Sequence, residues 1–113
     1  MTTPRRIKLM WDYHCWPLWE SGDPQYALEP DSLPLLQTTK ERLERWAAIP
    51  DAKLEAVAYP PDMKWSTKEQ QAFEREGREL WRLIRRELGE SFYVSYHNPL
   101  AGPVCAPEND VVS

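Results

Sequence analysis

The stretch STKEQQAFEREGRELWRLIRRELG, residues 66–89, decides how the rest of the chain can be arranged. Ser66 and Glu69 form a capping-box pattern, in which each side chain accepts a backbone N–H left free at a helix start. Gly89 is typical of the left-handed residue that ends a helix. Between these signals, apolar residues recur along one helical face. The pattern predicts a long amphipathic helix that buries Phe73, Gly77, Leu80, Trp81, Ile84 and Leu88.

Gly77 lies on this buried stripe, although glycine inside a helix costs about 1 kcal/mol relative to alanine. A neighbour that approaches the helix backbone closely would explain the glycine, because a Cβ there would collide with it. We expect that neighbour to be the helix that carries Trp46, or the sheet.

Segments that alternate with a period of two stand near both ends of the chain. From Ile7 to Cys15 the alternation predicts a strand, which ends before Pro17 because proline cannot donate to a ladder. Its expected buried face holds Ile7, Leu9, Trp11, Tyr13 and Cys15. Residues 91–97 predict a second strand, which ends at Asn98-Pro99 and buries Phe92, Val94 and Tyr96.

A shorter helix is predicted between the long loop and the long helix. It runs from about Gln37 to Ile49 and stops at Pro50. Its expected apolar stripe holds Leu36, Leu43, Trp46 and Ala47. Residues 53–59 alternate weakly, which is compatible with a short edge strand.

These elements predict one α+β domain, a small two-layer sandwich in the order β-α-(β)-α-β. Two long helices pack on one face of a small sheet formed by the N- and C-terminal strands. The domain is expected to span residues 1–101, with residues 102–113 as a flexible tail, because they contain prolines, acids and no period. Since two strands alone are marginally stable, either residues 53–59 add a strand or the sheet edge pairs with a second copy in a homodimer.

Charge is distributed unevenly along the chain. Residues 1–10 carry a net charge of +3 and residues 64–89 of +2, whereas residues 11–63 hold ten acids against four bases. Such a dipolar surface bears on partners and encounter rates rather than on the fold. The long helix carries a basic ridge at Arg75, Arg78, Arg82 and Arg85. Glutamates at helix-neighbour spacing predict ion pairs along it, so no nucleic-acid partner is expected.

The sequence also predicts a compartment. The first fifteen residues lack the continuous apolar core of a secretion signal, and no apolar run is long enough to cross a membrane. We therefore expect a cytoplasmic protein without a membrane partner, in which Cys15 and Cys105 are reduced. Cys15 falls on the predicted buried face, which favours an inert thiol.

The leading candidate site is a long proline-containing loop at residues 18–35, together with the tryptophans at its start. Exposed tryptophan within an acidic rim is typical of a protein-interface hot spot, and long loops are often binding surfaces. This predicts a binding protein without a cofactor and without catalytic residues. The predicted contact residues are Trp16, Trp19, Glu20, Asp23, Glu29 and Asp31.

An alternative site uses the outer face of the predicted sheet. Asp12 and His14 lie two residues apart on the first predicted strand, and His97 shares their face if the terminal strands are neighbours. A carboxylate and two imidazoles are the groups of a metal site or of an acid–base pair in a small enzyme. The usual metal and catalytic spacings, such as CxxC and HExxH, are missing from the sequence.

The motifs DYHCWPLW, residues 12–19, and EGREL, residues 76–80, resemble a family of small bacterial proteins that share a DY-x-C-x-P-L-W strand end and an EGR-x-L helix. The similarity extends over most of residues 6–97. Members of that family are similar in size and charge to the acidic immunity proteins that accompany polymorphic toxins. The resemblance implies a protein that neutralises a cognate toxin, and a basic toxin domain would suit an acidic loop.

Overall fold

A four-stranded sheet and two helices form the structure, a computed structural model that describes residues 3–21, 26–55 and 65–109. The strands and α-helices are β1 (Arg5–Met10), β2 (Leu18–Glu20), β3 (Tyr26–Leu28), α1 (Gln37–Glu55), α2 (Thr67–Leu88) and β4 (Phe92–His97). The sheet has the strand order β3-β2-β1-β4. Single turns of 3-10 helix follow β3, α2 and β4, at Pro30–Ser32, Gly89–Ser91 and Pro107–Asn109. The predicted α+β sandwich is confirmed.

The terminal strands β1 and β4 lie side by side, as predicted, and they are parallel. Ile7 pairs with Val94 and Leu9 with Tyr96, and all four side chains are buried beneath the helices. On its other edge β1 pairs with β2 in an antiparallel ladder. The sheet therefore gains β2 and β3 from the segment that was predicted to be a loop. A three-residue strand is too short to show a period of two in the sequence, which is why both strands were missed.

Helix α2 is confirmed from its capping box to Leu88. The Glu69 N–H donates to Oγ of Ser66, and the Ser66 N–H donates to Oε1 of Glu69, both at 3.0 Å. Gly89 has a positive φ of 73°, but its ψ of −162° lies outside the left-handed helical region expected for this cap. The buried residues are Phe73, Gly77, Leu80, Trp81, Ile84 and Leu88.

Gly77 brings α2 close to both predicted neighbours at once. A Cβ added to it would lie 2.9 Å from Cζ2 of Trp46 in α1, and closer still to the hydroxyl oxygen of Tyr96 in β4. The Tyr96 side chain is 1% exposed and hydrogen-bonds to Glu74 through its hydroxyl. The glycine therefore allows the helix, the neighbouring helix and the sheet to meet at one point.

Three buried tryptophans fill the core, and each of them hydrogen-bonds its indole N–H. The Trp46 ring stacks on Phe73 at 4.6 Å between centroids, and its Nε1 donates to the Phe73 carbonyl oxygen at 3.0 Å. Trp81 donates to the carbonyl oxygen of Val94 at 2.8 Å, and Trp11 donates to Asn98 at 2.9 Å. Each bond offsets the cost of burying a polar group.

Strand β1 is shorter than the alternation predicted. It ends at Met10, whose N–H donates to the carbonyl oxygen of Pro17 at 2.8 Å, so the chain has already reversed by that point. Within the turn, His14 has a φ of 59° and the Cys15 N–H donates to the Asp12 carbonyl oxygen at 3.3 Å. The prediction of a strand to Cys15 is therefore wrong.

Helix α1 continues through Pro50 to Glu55, so the prediction that Pro50 stops it is wrong. Proline removes one helical hydrogen bond, but Pro50 is buried on the stripe of Leu43, Trp46 and Ala47. Leu36 is 62% exposed and does not belong to that stripe. Residues 53–55 of the predicted edge strand are helical, and residues 56–59 lie outside the described residues.

The segment after β4 runs beside that strand. Cys105 and Tyr96 exchange two backbone hydrogen bonds of 2.7 and 2.9 Å. The domain boundary at residue 101 and the flexibility of residues 102–113 stay predictions. In the described part of the chain, no helix combines the length and the apolar character needed to cross a membrane.

Candidate protein-binding surface

Trp16 lies on the turn that joins β1 to β2, and its side chain is 49% exposed. The turn is held against α1, because the His14 N–H donates to Oδ1 of Asp51 at 2.9 Å. A cleft of about 540 Å³ beside it is lined by His14, Cys15, Trp16 and Ala27. An exposed indole on a well-anchored turn can bind an apolar group of a partner at little cost in conformational entropy.

Trp19 has a different environment from the one predicted. It belongs to β2, is partly buried, and donates from Nε1 to the carbonyl oxygen of Met10 at 2.8 Å. The indole therefore ties β2 to the end of β1. The prediction of Trp19 as a loop residue is wrong, because residues 18–20 form β2.

The predicted acids in the described part of the chain have different neighbours. Glu20 at the end of β2 binds Arg5 with a separation of 2.7 Å. Leu18, at the start of β2, pairs with Leu28, at the end of β3. Glu29 follows Leu28 and therefore lies at the end of the sheet that is nearer to Trp16. Asp31 is 73% exposed in its side chain and lies 3.1 Å from Lys40. Asp23 lies outside the described residues.

Sequence reasoning missed one acid beside Trp16. Asp51 accepts a hydrogen bond from His14 and so supports the turn that carries Trp16. It was missed because α1 was predicted to stop at Pro50, which left Asp51 outside any predicted helix. Asp51 also acts on the nearby thiol. Burial is the main cause that raises the pKa of Cys15, and the negative charges of Asp12 and Asp51 add to it. Cys15 is a free thiol whose surroundings disfavour the reactive thiolate.

The alternative site depended on Asp12 and His14 sharing a strand face, and this premise is wrong because β1 ends at Met10. Asp12 accepts the N–H of Tyr13 at 2.7 Å within the turn. His97 lies at the end of β4, paired with Met10. Within residues 3–21, 26–55 and 65–109, no three His, Cys, Asp or Glu side chains are grouped as metal ligands.

The basic ridge of α2 contains one of the predicted ion pairs. Glu74 and Arg78 lie 3.0 Å apart at the expected four-residue spacing. Glu76 and Glu79 both contact Arg42 of α1, at 2.7 and 3.3 Å. The hydrogen bond that Arg42 donates to the Glu76 carboxylate is the main cause that raises the pKa of Arg42. These carboxylates therefore join the two helices as well as lining the ridge.

Comparison with known proteins identifies the family. A search of curated proteins finds no match. A family model described as Serratia CdiI immunity protein-like matches residues 5–99, from the first residue of β1 to beyond the end of β4. The match spans both motifs, the four described strands and both α-helices, and it confirms the resemblance to immunity proteins. The chain belongs to the Serratia CdiI immunity protein-like family.

Proposed function

We propose that this chain is an immunity protein that binds a cognate toxin domain and neutralises it by direct contact. The observation that carries the proposal is the match of residues 5–99 to an immunity protein family. A small fold with an exposed aromatic side chain on an anchored turn suits this role, because neutralisation by contact needs a surface rather than a catalytic centre.

Within this function, we place the toxin contact at the acidic segment around β2 and β3. Trp16 is the proposed anchor, and Glu29 and Asp31 are the proposed acidic contacts. Trp19, Glu20 and Asp23 complete the segment predicted from the sequence. Trp19 and Glu20 are engaged within the sheet, so we expect smaller direct contributions from them than from Trp16.

The charge of this part of the chain suggests the chemistry of the toxin. Residues 11–63 hold ten acids against four bases, and such a surface attracts a basic domain over distances of about 10 Å at moderate salt. A basic toxin domain, such as a nuclease, would be drawn to it and covered. We place the encounter in the cytoplasm, where the free thiols Cys15 and Cys105 would stay reduced.

The proposal predicts that a toxin domain is encoded in a neighbouring reading frame, and the test uses that domain. Purified chain and toxin domain should form a complex in size-exclusion chromatography with light scattering, which also gives the oligomeric state of the chain alone. Co-expression should restore growth to cells that make the toxin. A toxin that neither binds the chain nor is silenced by it would remove the immunity function.

Two variants then locate the interface. Trp16→Ala should weaken the complex by about thirtyfold or more, as expected for a central tryptophan. Val104→Ala is the matched control, because Val104 is 51% exposed but follows β4. Charge reversal at Glu29 and Asp31 should slow association and weaken its salt dependence. Unchanged affinity and association rates in these variants, with the complex intact, would place the interface elsewhere.

A further inference from the structure

The turn that carries Trp16 has its shape fixed from two sides. At its base, the Met10 N–H donates to the carbonyl oxygen of Pro17 at 2.8 Å, which closes the loop between β1 and β2. From α1, Asp51 accepts the His14 N–H at 2.9 Å. A partner therefore meets a turn that is already ordered, and binding costs little conformational entropy.

Two carboxylates hold this turn, and neither has a cationic partner in the described part of the chain. Asp12 and Asp51 each accept one backbone N–H through Oδ1, at 2.7 and 2.9 Å. Among the described residues, the second oxygen of each carboxylate accepts no hydrogen bond. Cys15 lines the cleft beside Trp16, and after burial the two carboxylate charges are the causes that raise the pKa of its thiol. Both charges therefore act on the wall of the cleft.

The Trp16 ring is an exposed aromatic surface without a cation of its own. Elsewhere in the molecule, arginine or lysine side chains lie 4.5–5.9 Å from the centroids of five rings, those of Trp65, Trp81, Phe92, Tyr93 and Tyr96. In the described part of the chain no such group lies over Trp16, which is half-exposed. The negative face of an indole attracts cations. An open indole beside two negative charges thus favours a positively charged group from outside.

We propose that the cleft beside Trp16 binds an arginine side chain of the cognate toxin domain. This inference rests on the proposed immunity function and names the group that is bound. The guanidinium would stack on the indole and donate hydrogen bonds to the second oxygens of Asp12 and Asp51. A guanidinium suits this arrangement better than an ammonium, because it is planar, stacks on aromatic faces and presents its donors in a rigid fork.

The charges of the site favour arginine over an apolar side chain. An apolar group could contact the indole alone, but it would cover Asp12 and Asp51 without giving either charge a partner. Removing a charge from water without a partner is costly. An arginine compensates both carboxylates, and hydrogen bonds between charged groups are stronger than those between neutral ones.

The test uses the full chain and the toxin domain, with association and dissociation rates measured by surface plasmon resonance. Asp12→Asn and Asp51→Asn each remove one charge and keep the Oδ1 atom that accepts the backbone N–H. Glu41→Gln is the matched control, because Glu41 is exposed on α1, about 15 Å before Asp51 along the helix. Circular dichroism verifies that all three variants are folded.

We expect each aspartate variant to weaken the complex by about tenfold, mainly through faster dissociation, because the lost pair is covered by the partner. Glu41→Gln should change the affinity by less than about twofold. On the toxin side, exposed arginines and lysines are replaced by alanine one at a time. One arginine should emerge whose replacement weakens binding to the wild-type chain but not to Trp16→Ala, since the two residues are coupled.

Three results would overturn the proposal: aspartate variants that bind as Glu41→Gln does, no basic toxin residue that is coupled to Trp16, or coupling to a lysine instead of an arginine. In each of these cases the complex still forms, so the immunity function stands and only the arginine contact is lost. A wild-type chain that does not bind the toxin domain would remove both.

Discussion

Replacing Gly77 with alanine tests the packing on which the arrangement of α2, α1 and β4 depends. The new Cβ would lie 2.9 Å from Cζ2 of Trp46 and closer to the hydroxyl of Tyr96, and neither ring has room to withdraw. Both side chains are about 1% exposed, and Tyr96 is held between the rings of Trp46 and Trp81. Alanine would therefore push the helix away from the sheet or displace Tyr96.

The opposing contributions to the free energy of unfolding can be compared. Alanine favours the helix by about 1 kcal/mol relative to glycine. Overpacking of a filled core costs about 1–3 kcal/mol. Displacing Tyr96 also disturbs its hydrogen bond to the Glu74 carboxylate, and such bonds to charged groups contribute about 1.5–3 kcal/mol. The net expectation is a loss of about 2–4 kcal/mol, a large part of the stability of a domain of this size.

Urea denaturation followed by tryptophan fluorescence measures this loss as a lower transition midpoint at an unchanged slope. Ala72→Gly is the control for helix propensity alone, because Ala72 is exposed on the same helix, and it should cost about 1 kcal/mol. In a Tyr96→Phe background the cost of Gly77→Ala should shrink, since the nearest atom is gone. A Gly77→Ala chain with an unchanged or higher midpoint would refute the reasoning.

Three further predictions concern ionisable groups. Lys53, which lies 2.5 Å from the Glu69 carboxylate, and the Ser66 cap lower the pKa of Glu69 to about 2. The stability that Glu69 contributes is therefore present above its unfolded pKa of about 4.3, and it is lost as the pH falls towards 2. Between pH 5 and pH 2 the urea midpoint of Glu69→Gln should fall less than that of the wild type; equal falls would contradict this. Burial and, to a smaller extent, Glu74 raise the pKa of Tyr96, so Tyr96 should stay protonated in the native chain at pH 11. The native Tyr96→Phe variant should therefore match the native wild type in tyrosinate absorbance at 295 nm. In urea the absorbance of the variant should be lower than that of the wild type. Burial also raises the pKa of Cys15. In a Cys105→Ala background, iodoacetamide at pH 8 should therefore label Cys15 more slowly in the native chain than in urea. Faster labelling of the native chain would contradict the conclusion that Cys15 is an unreactive thiol.

The sequence predicted those elements whose signals are both local and long enough to repeat. Helix α2 has a capping box, a stripe of six buried residues and a terminal glycine, and all of these agree with the structure. Strand β4 was predicted for the same reason, since its alternation extends over most of its length. Even Gly77 could be interpreted, because a glycine on a buried helical stripe has few explanations besides a close neighbour.

The errors arose where tertiary contacts outweigh local patterns. Alternation continues through Trp11, Tyr13 and Cys15, yet the ladder with β2 reverses the chain after Met10. Burial of Pro50 against the core keeps α1 intact past a residue that usually ends helices. These errors also affected the prediction of the site. Trp19 is a strand residue rather than a loop residue, and Asp51 of α1 hydrogen-bonds to the Trp16 turn.

The parallel pairing of β1 with β4 has a consequence for synthesis on the ribosome. Arg5 meets Phe92 across the ladder, so β1 leaves the exit tunnel long before its neighbour has been translated. Until then, β1 has its short ladder with β2, but its apolar side chains lack the cover that α2 and β4 provide. Contacts between residues far apart in the sequence slow folding and prolong the exposure of apolar surface. The growing polypeptide is therefore most vulnerable to aggregation and chaperone capture in the interval before its last strand emerges.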